Sequence, residues 1–105
     1  MISGVMRITV KEVCEQEQLS FGLLVELVEY DIARPIAGSS REDWVFDCAG
    51  VHWLKRAVRL HHDLDLDWLA VATVVDLLRE REALVDENRQ LKQRLSRFLS
   101  EDDQA

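Results

Sequence analysis

The sequence predicts a mainly α-helical protein, with a winged helix-turn-helix head, a small β wing and a long C-terminal helix. Three observations carry that prediction. Two short helical stretches, opened by the hydroxyl residues Thr9 and Ser20, are separated only by a polar turn. A turn-rich segment around Gly38 leads into the β-prone run Trp44-Val45-Phe46. From Asp76 to Leu99, apolar residues recur at heptad spacing with no Gly or Pro between them. A length of 105 residues suits one small head, residues 1–67, a helical extension, 68–99, and an acidic tail, 100–105.

The elements follow in order. Met1 to Ile8 reads as a lead-in with an extended edge through Val5, Arg7 and Ile8. Thr9-Val10-Lys11-Glu12 has the capping-box form, a hydroxyl at the N-cap and a carboxylate three residues on. It opens a helix that should bury Val10, Val13 and Cys14, and Glu15 to Leu19 forms the polar turn. Ser20 caps the second helix, whose Leu23, Leu24, Leu27 and Val28 make one apolar stripe ending near Tyr30 or Asp31. Arg34-Pro35 stops helical geometry, because proline pushes the residue before it towards extended backbone. A hairpin or wing is expected between Ile36 and Phe46. Asp47 caps a third helix running to about His62. Its inner stripe is Val51, Leu54, Ala57, Val58 and Leu64, with Lys55, Arg56 and Arg59 facing water. Asp65-Leu66-Asp67 is a connection, and Asp67 is the next N-cap. Trp68 to Val75 is apolar almost throughout, which predicts burial on several sides. Nothing interrupts the chain at Asp76, so one helix is expected from Trp68 to about Leu99.

On that helix Leu77, Leu84, Leu91 and Phe98 recur every seven residues, with Val74, Asn88 and Leu95 interleaved. Charged residues such as Glu80, Glu82, Glu87, Arg89 and Arg94 fill the other faces. Such a seam either meets another helix or lies on the core of its own domain. Asn88 and Arg81 at seam positions lower stability while favouring one register. Leu77, Leu84, Asn88, Leu91, Leu95 and Phe98 form the expected seam of a homodimer.

Composition excludes several functions. Hydrophobic content of 48% and charged content of 31% describe a chain that folds. Of the net charge of −7, the head carries most, with seven Lys and Arg against twelve Asp and Glu in residues 1–75. Nucleic-acid binders usually carry a basic stripe there, so direct DNA binding is disfavoured. Cys14 and Cys48 lack CxxC spacing and are expected reduced, without a disulfide framework. No basic-then-apolar stretch opens the sequence and no apolar run is long enough to span a membrane, so a cytoplasmic protein without a signal peptide is expected. His61 and His62 point about 100° apart on a helix, so they cannot chelate one ion together. Either with Asp65 supplies only two ligands, so no metal site is predicted. No nucleophile–base pair and no phosphate-cradling glycine loop is present, and neither an enzyme nor a cofactor is expected.

The opening Ile8-Thr9-Val10-Lys11-Glu12-Val13, with Trp44-Val45-Phe46-Asp47 where the wing closes, resembles MerR-type heads. The second helix departs from them: Ser20 to Asp31 holds Glu26, Glu29 and Asp31 and no basic residue, whereas groove reading needs donors aimed at phosphates and base edges. Further segments sharpen the match: Arg56-Ala57-Val58-Arg59-Leu60, Leu66-Asp67-Trp68, Glu87-Asn88-Arg89 and Arg94-Leu95-Ser96-Arg97-Phe98. In this order and spacing, from about Ile8 to Phe98, they are similar to the CbpM family of chaperone-modulatory proteins. That resemblance implies a MerR-like head that binds the J-domain of CbpA, a DnaJ-type co-chaperone of the nucleoid, and blocks its stimulation of DnaK. The alternative is a MerR-like DNA-binding transcription regulator. For a J-domain partner, Glu26, Glu29 and Asp31 are the first expected contacts and Arg56 and Arg59 the second. Phe21, Tyr30 and Trp53 are possible aromatic anchors, and each also fits a core role.

Overall fold

The computed structural model describes residues 6–104, with side chains as far as residue 101. Val5, expected on the extended edge, and Ala105 lie outside the described residues. In chain order the elements are β1 (Ile8–Thr9), α1 (Val10–Glu17), α2 (Phe21–Glu29), β2 (Val45–Phe46), α3 (Cys48–Leu64) and α4 (Trp68–Gln104), with a 3-10 turn at Arg41–Asp43. The chain divides into two units, Met1–Val75 and Asp76–Ala105.

Each helix of the first unit starts where its sequence supplies a cap. The Thr9 hydroxyl accepts from the Glu12 N–H at 3.2 Å, and the Glu12 carboxylate accepts from the Thr9 N–H at 3.2 Å. Ser20 Oγ accepts from the Leu23 N–H at 3.1 Å, and Asp47 Oδ1 from the Gly50 N–H at 2.9 Å. Asp67 Oδ1 accepts from the Ala70 N–H at 2.8 Å. These bonds satisfy amides that the first helical turn leaves without partners.

The ends are set by left-handed residues. α1 runs on through Glu17, because Glu15, Gln16 and Glu17 are good helix formers and the turn begins only at Gln18, with φ 55°. α2 closes in a Schellman arrangement around Asp31, φ 63°, with the Ile32 N–H on the Leu27 carbonyl and the Asp31 N–H on Val28. Ile32 is fully buried there, which anchors the closure.

The wing and β1 share β2. Ile36 donates to the Val45 carbonyl at 2.8 Å and Val45 to the Ala37 carbonyl at 2.9 Å. β2 also pairs antiparallel with β1, Ile8 opposite Phe46 and Thr9 opposite Val45. Around this ladder the fully buried Val13, Leu24, Leu27, Ile32, Phe46, Leu54, Val71 and Val75 form the core.

Two apolar residues expected in the core are exposed. Leu64, expected on the inner stripe of α3, is 60% exposed, because α3 overruns the core by a turn before Asp65 reverses it at φ 52°. Leu69, in the stretch expected to be buried on several sides, is 64% exposed; Val71, Ala72 and Val75 face inward instead. Between the two helices His61 holds the corner: its Nδ1 lies 2.6 Å from the Leu66 carbonyl, and its ring stacks on Trp68 at 4.1 Å. α4 continues to Gln104, past its expected end at Leu99. Carboxylates in a last turn oppose the helix dipole, which favours an earlier end, but no Gly or Pro enforces one.

Gly38 tests the wing. Its φ is +118°, and a Cβ there would lie 2.5 Å from the Asp43 carbonyl oxygen. Gly38→Ala is therefore expected to lower stability in urea by about 1 kcal/mol or more, since both the backbone angle and the contact oppose it. An unchanged unfolding midpoint would mean that the turn relaxes without cost.

Candidate functional site

The second helix of the helix-turn-helix is the natural first surface. Leu24 and Leu27 turn it inward, leaving Glu26 and Glu29 exposed, with Phe21 and Tyr30 each 38% exposed at its two ends. α2 has no basic residue of its own. Its carboxylates are not equivalent. Glu29 meets Arg41 of the wing turn at 3.1 Å, and Asp31 takes a two-pronged contact from Arg34 at 2.8 and 2.7 Å. Glu26 has no ion pair among the described residues. Both arginine pairs are well exposed, so each contributes at most about 1 kcal/mol and a partner can exchange them.

Beside Phe21 lies a shallow hollow of about 340 Å³, lined by Val10, Lys11, Cys14, Glu15, Phe21 and Glu42. Burial pushes the Cys14 thiol above the ordinary value of 9.0. Arg56 and Arg59 belong to α3, not to this face. The Arg56 guanidinium sits 5.0 Å from the centre of the Trp53 ring, and Arg59 is exposed. Trp53 itself is only 9% exposed and is a core residue, so of the three proposed anchors Phe21 and Tyr30 alone are accessible.

The α4 seam is open along its length. Leu77, Leu84, Leu91, Leu95 and Phe98 are between 54% and 65% exposed, and Asn88 is exposed with them. Among the described residues no three His, Cys, Asp or Glu converge as metal ligands, and no helix is long and apolar enough to cross a membrane. His61 is taken up by Leu66 and Trp68, and His62 Nδ1 lies 3.3 Å from Asp63.

Residues 8–93 match the family described as MerR HTH family regulatory protein. The chain is 40% identical over 94 residues to chaperone modulatory protein CbpM of Pseudomonas entomophila, covering 90% of this chain and 92% of the relative. It is 38% identical over 95 residues to CbpM of Pseudomonas putida F1, and 38% identical over 92 residues to CbpM of Salmonella paratyphi B. The respective coverage is 90% and 88% of this chain, and 93% and 90% of the relatives. The chain belongs to the CbpM family. Its head is MerR-like, and the relatives are named for modulating a chaperone, a regulatory role.

For a CbpM-family head, the arginine partners of α2 are what sequence reasoning missed. The Asp31–Arg34 pair was available from its three-residue spacing across the end of the helix. The Glu29–Arg41 pair was not, because twelve residues and the wing separate the two. The two thiols provide a check on the surface. Cys48 is exposed and Cys14 half-buried, so iodoacetamide should modify Cys48 first, and Cys14 should react more slowly, because burial leaves less of it as thiolate at a given pH. Equal rates at neutral pH would place the Cys14 thiol in water.

Proposed function

We propose that this CbpM-family chain binds the J-domain of a CbpA-type, DnaJ-like co-chaperone in the cytoplasm and blocks its stimulation of DnaK. The observation that carries the reading is the sign of the α2 face. The helix that would enter a DNA groove presents Glu26 and Glu29, framed by Phe21 and Tyr30, and no cation of its own. A J-domain offers a basic helix to its Hsp70 partner, and an anionic surface with aromatic anchors competes for it by charge and by burial. Asp31 continues the face beyond the helix end. The same carboxylates disfavour operator binding, since phosphates repel them and no donor on α2 is free to replace the loss. Arg56 and Arg59, on α3, supply no part of this anionic contact.

The test is DnaK ATPase stimulated by the co-chaperone. Titrating the protein should abolish the stimulation, and Glu26→Lys should raise the concentration needed about tenfold, equivalent to ~1.4 kcal/mol. Stimulation that survives saturating protein would end this reading. A salt-sensitive gel shift on one operator, far above random DNA, would restore gene regulation in its place.

We further propose that the chain pairs with a second copy through the α4 seam. The series 77, 84, 91, 98 and the series 74, 81, 88, 95 are exchanged by reversal about residue 86. Antiparallel pairing centred there puts Leu84 beside the partner's Asn88 in the central layers and Arg81 beside the partner's Leu91, so the arginines stay apart. Parallel pairing in register would set Arg81 against Arg81, which repels. Leu84→Glu, at the centre, should bring the sedimentation mass down to that of one chain. A mass unchanged by the substitution would assign the seam to another partner.

A further inference from the structure

We propose that the outward side of α3 is a docking surface for an acidic, amphipathic segment of a protein partner, separate from the α2 face. His52, Lys55, Arg56, Arg59 and His62 occupy positions i, i+3, i+4, i+7 and i+10 of α3. They therefore lie along one side of the helix over about 15 Å. Four of them are exposed and Arg56 is half-buried. No carboxylate interrupts the series, although the chain as a whole has a net charge of −7. Three of the seven Lys and Arg of residues 1–75 thus fall within five positions.

The side chains are placed by the core beneath them. Trp53 is nearly buried, with the His52 ring edge-on to it at 5.2 Å and the Arg56 guanidinium 5.0 Å from its centre. The fold offsets the charge of the stripe only in part. Lys55 and Arg59, and Arg56 and Arg59, are like charges at neighbouring positions of one helix face, which repel. Lys55 reaches Glu17 only at 3.8 Å, and Arg59 has no ion pair among the described residues. Against the stripe lies an open hollow of about 530 Å³ whose lining includes Glu17, Lys55, Val58, Arg59, His62 and Asp63.

That arrangement selects its occupant. Cations strung along an open helix face match carboxylates spaced along a segment, not one small anion, which needs enclosure. Val58 adds an apolar floor for a side chain between them. Glu17 and Asp63 border the same hollow, and a uniformly charged phosphate backbone cannot avoid them. A protein segment can, by setting carboxylates against Arg59 and Lys55 and polar or basic groups against Glu17 and Asp63.

The probe is a fluorescein-labelled amphipathic helical peptide with glutamates four residues apart, followed by anisotropy with the full chain at low salt. A version with glutamine at the same positions and a labelled DNA duplex serve as comparisons. The glutamate peptide should bind best and weaken as salt is raised. Arg59→Glu should cost it at least about tenfold, and Arg59→Lys should retain most of the affinity. Circular dichroism confirms that both variants keep their helices. Equal binding of the glutamine peptide, indifference to Arg59→Glu, or tighter binding of DNA would each overturn the proposal. Because Glu26 lies on α2, the ATPase test of Glu26→Lys succeeds or fails independently of this one.

Discussion

Two rungs of antiparallel ladder determine where everything else in the head can go. Ile8 faces Phe46 and Thr9 faces Val45, and in both strands the very next step is a helix cap. Thr9 is at once a ladder residue and the N-cap of α1, while Asp47, the N-cap of α3, follows Phe46 directly. The starts of α1 and α3 are thereby tied together, with Phe46 fully buried beneath them. The fit there is close: a Cβ on Gly50 would already stand 3.4 Å from the Phe46 ring. A two-residue strand pair is too short to be stable alone. It persists because Val45 is also bonded to the wing at Ala37 and because Phe46 is fully buried.

The same scaffold gives α2 the placement of a groove-reading helix without its usual positive charge. α2 is delivered by a tight turn with its apolar stripe inward, as groove reading requires, yet what it presents outward is carboxylate. The cations of the region do not compensate. Arg34 and Arg41 are drawn back onto Asp31 and Glu29, and Lys55, Arg56 and Arg59 stand on α3. One fold therefore offers an anionic helix and a cationic helix at once. A polyphosphate must oppose one of them, whereas a folded partner can carry both signs in matching places.

Much of this was legible in the sequence because it is local. A hydroxyl or carboxylate followed by a helix-forming run locates a cap within one turn, so Thr9, Ser20, Asp47 and Asp67 are where their sequence puts them. Apolar periodicity gives the inward stripe, and Val51, Leu54 and Ala57 follow it. It cannot give the point where the core runs out. Leu64 continues the stripe of α3 faultlessly and still meets water, because its burial depends on what lies opposite. The partner of Glu29 was hidden for the same reason: Arg41 comes near only once the wing is folded. Gln18, Asp31 and Asp65 adopt left-handed geometry without being glycine, so the expected punctuation was missing where three helices end.

α4 carries that distinction between local and nonlocal support within a single element. Up to Val75 it is held by burial of Val71, Ala72 and Val75. From Asp76 onward its own means are local pairs, such as Asp76 with Arg79 at 3.8 Å and Asp86 with Gln90 at 3.2 Å. Pairs of this kind contribute about 0.2–0.5 kcal/mol each. An isolated helix is marginal in water even when longer than a dozen residues, since nucleation is costly and packing normally supplies the remainder. Here the packing surface exists, as Leu77, Leu84, Leu91, Leu95 and Phe98, and it is unburied in the single chain. Covering one leucine fully contributes about 1.5–3 kcal/mol, several times any of the local pairs. Helicity beyond Val75 and occupation of the seam are consequently coupled, and whatever covers the seam also stabilises the helix that bears it.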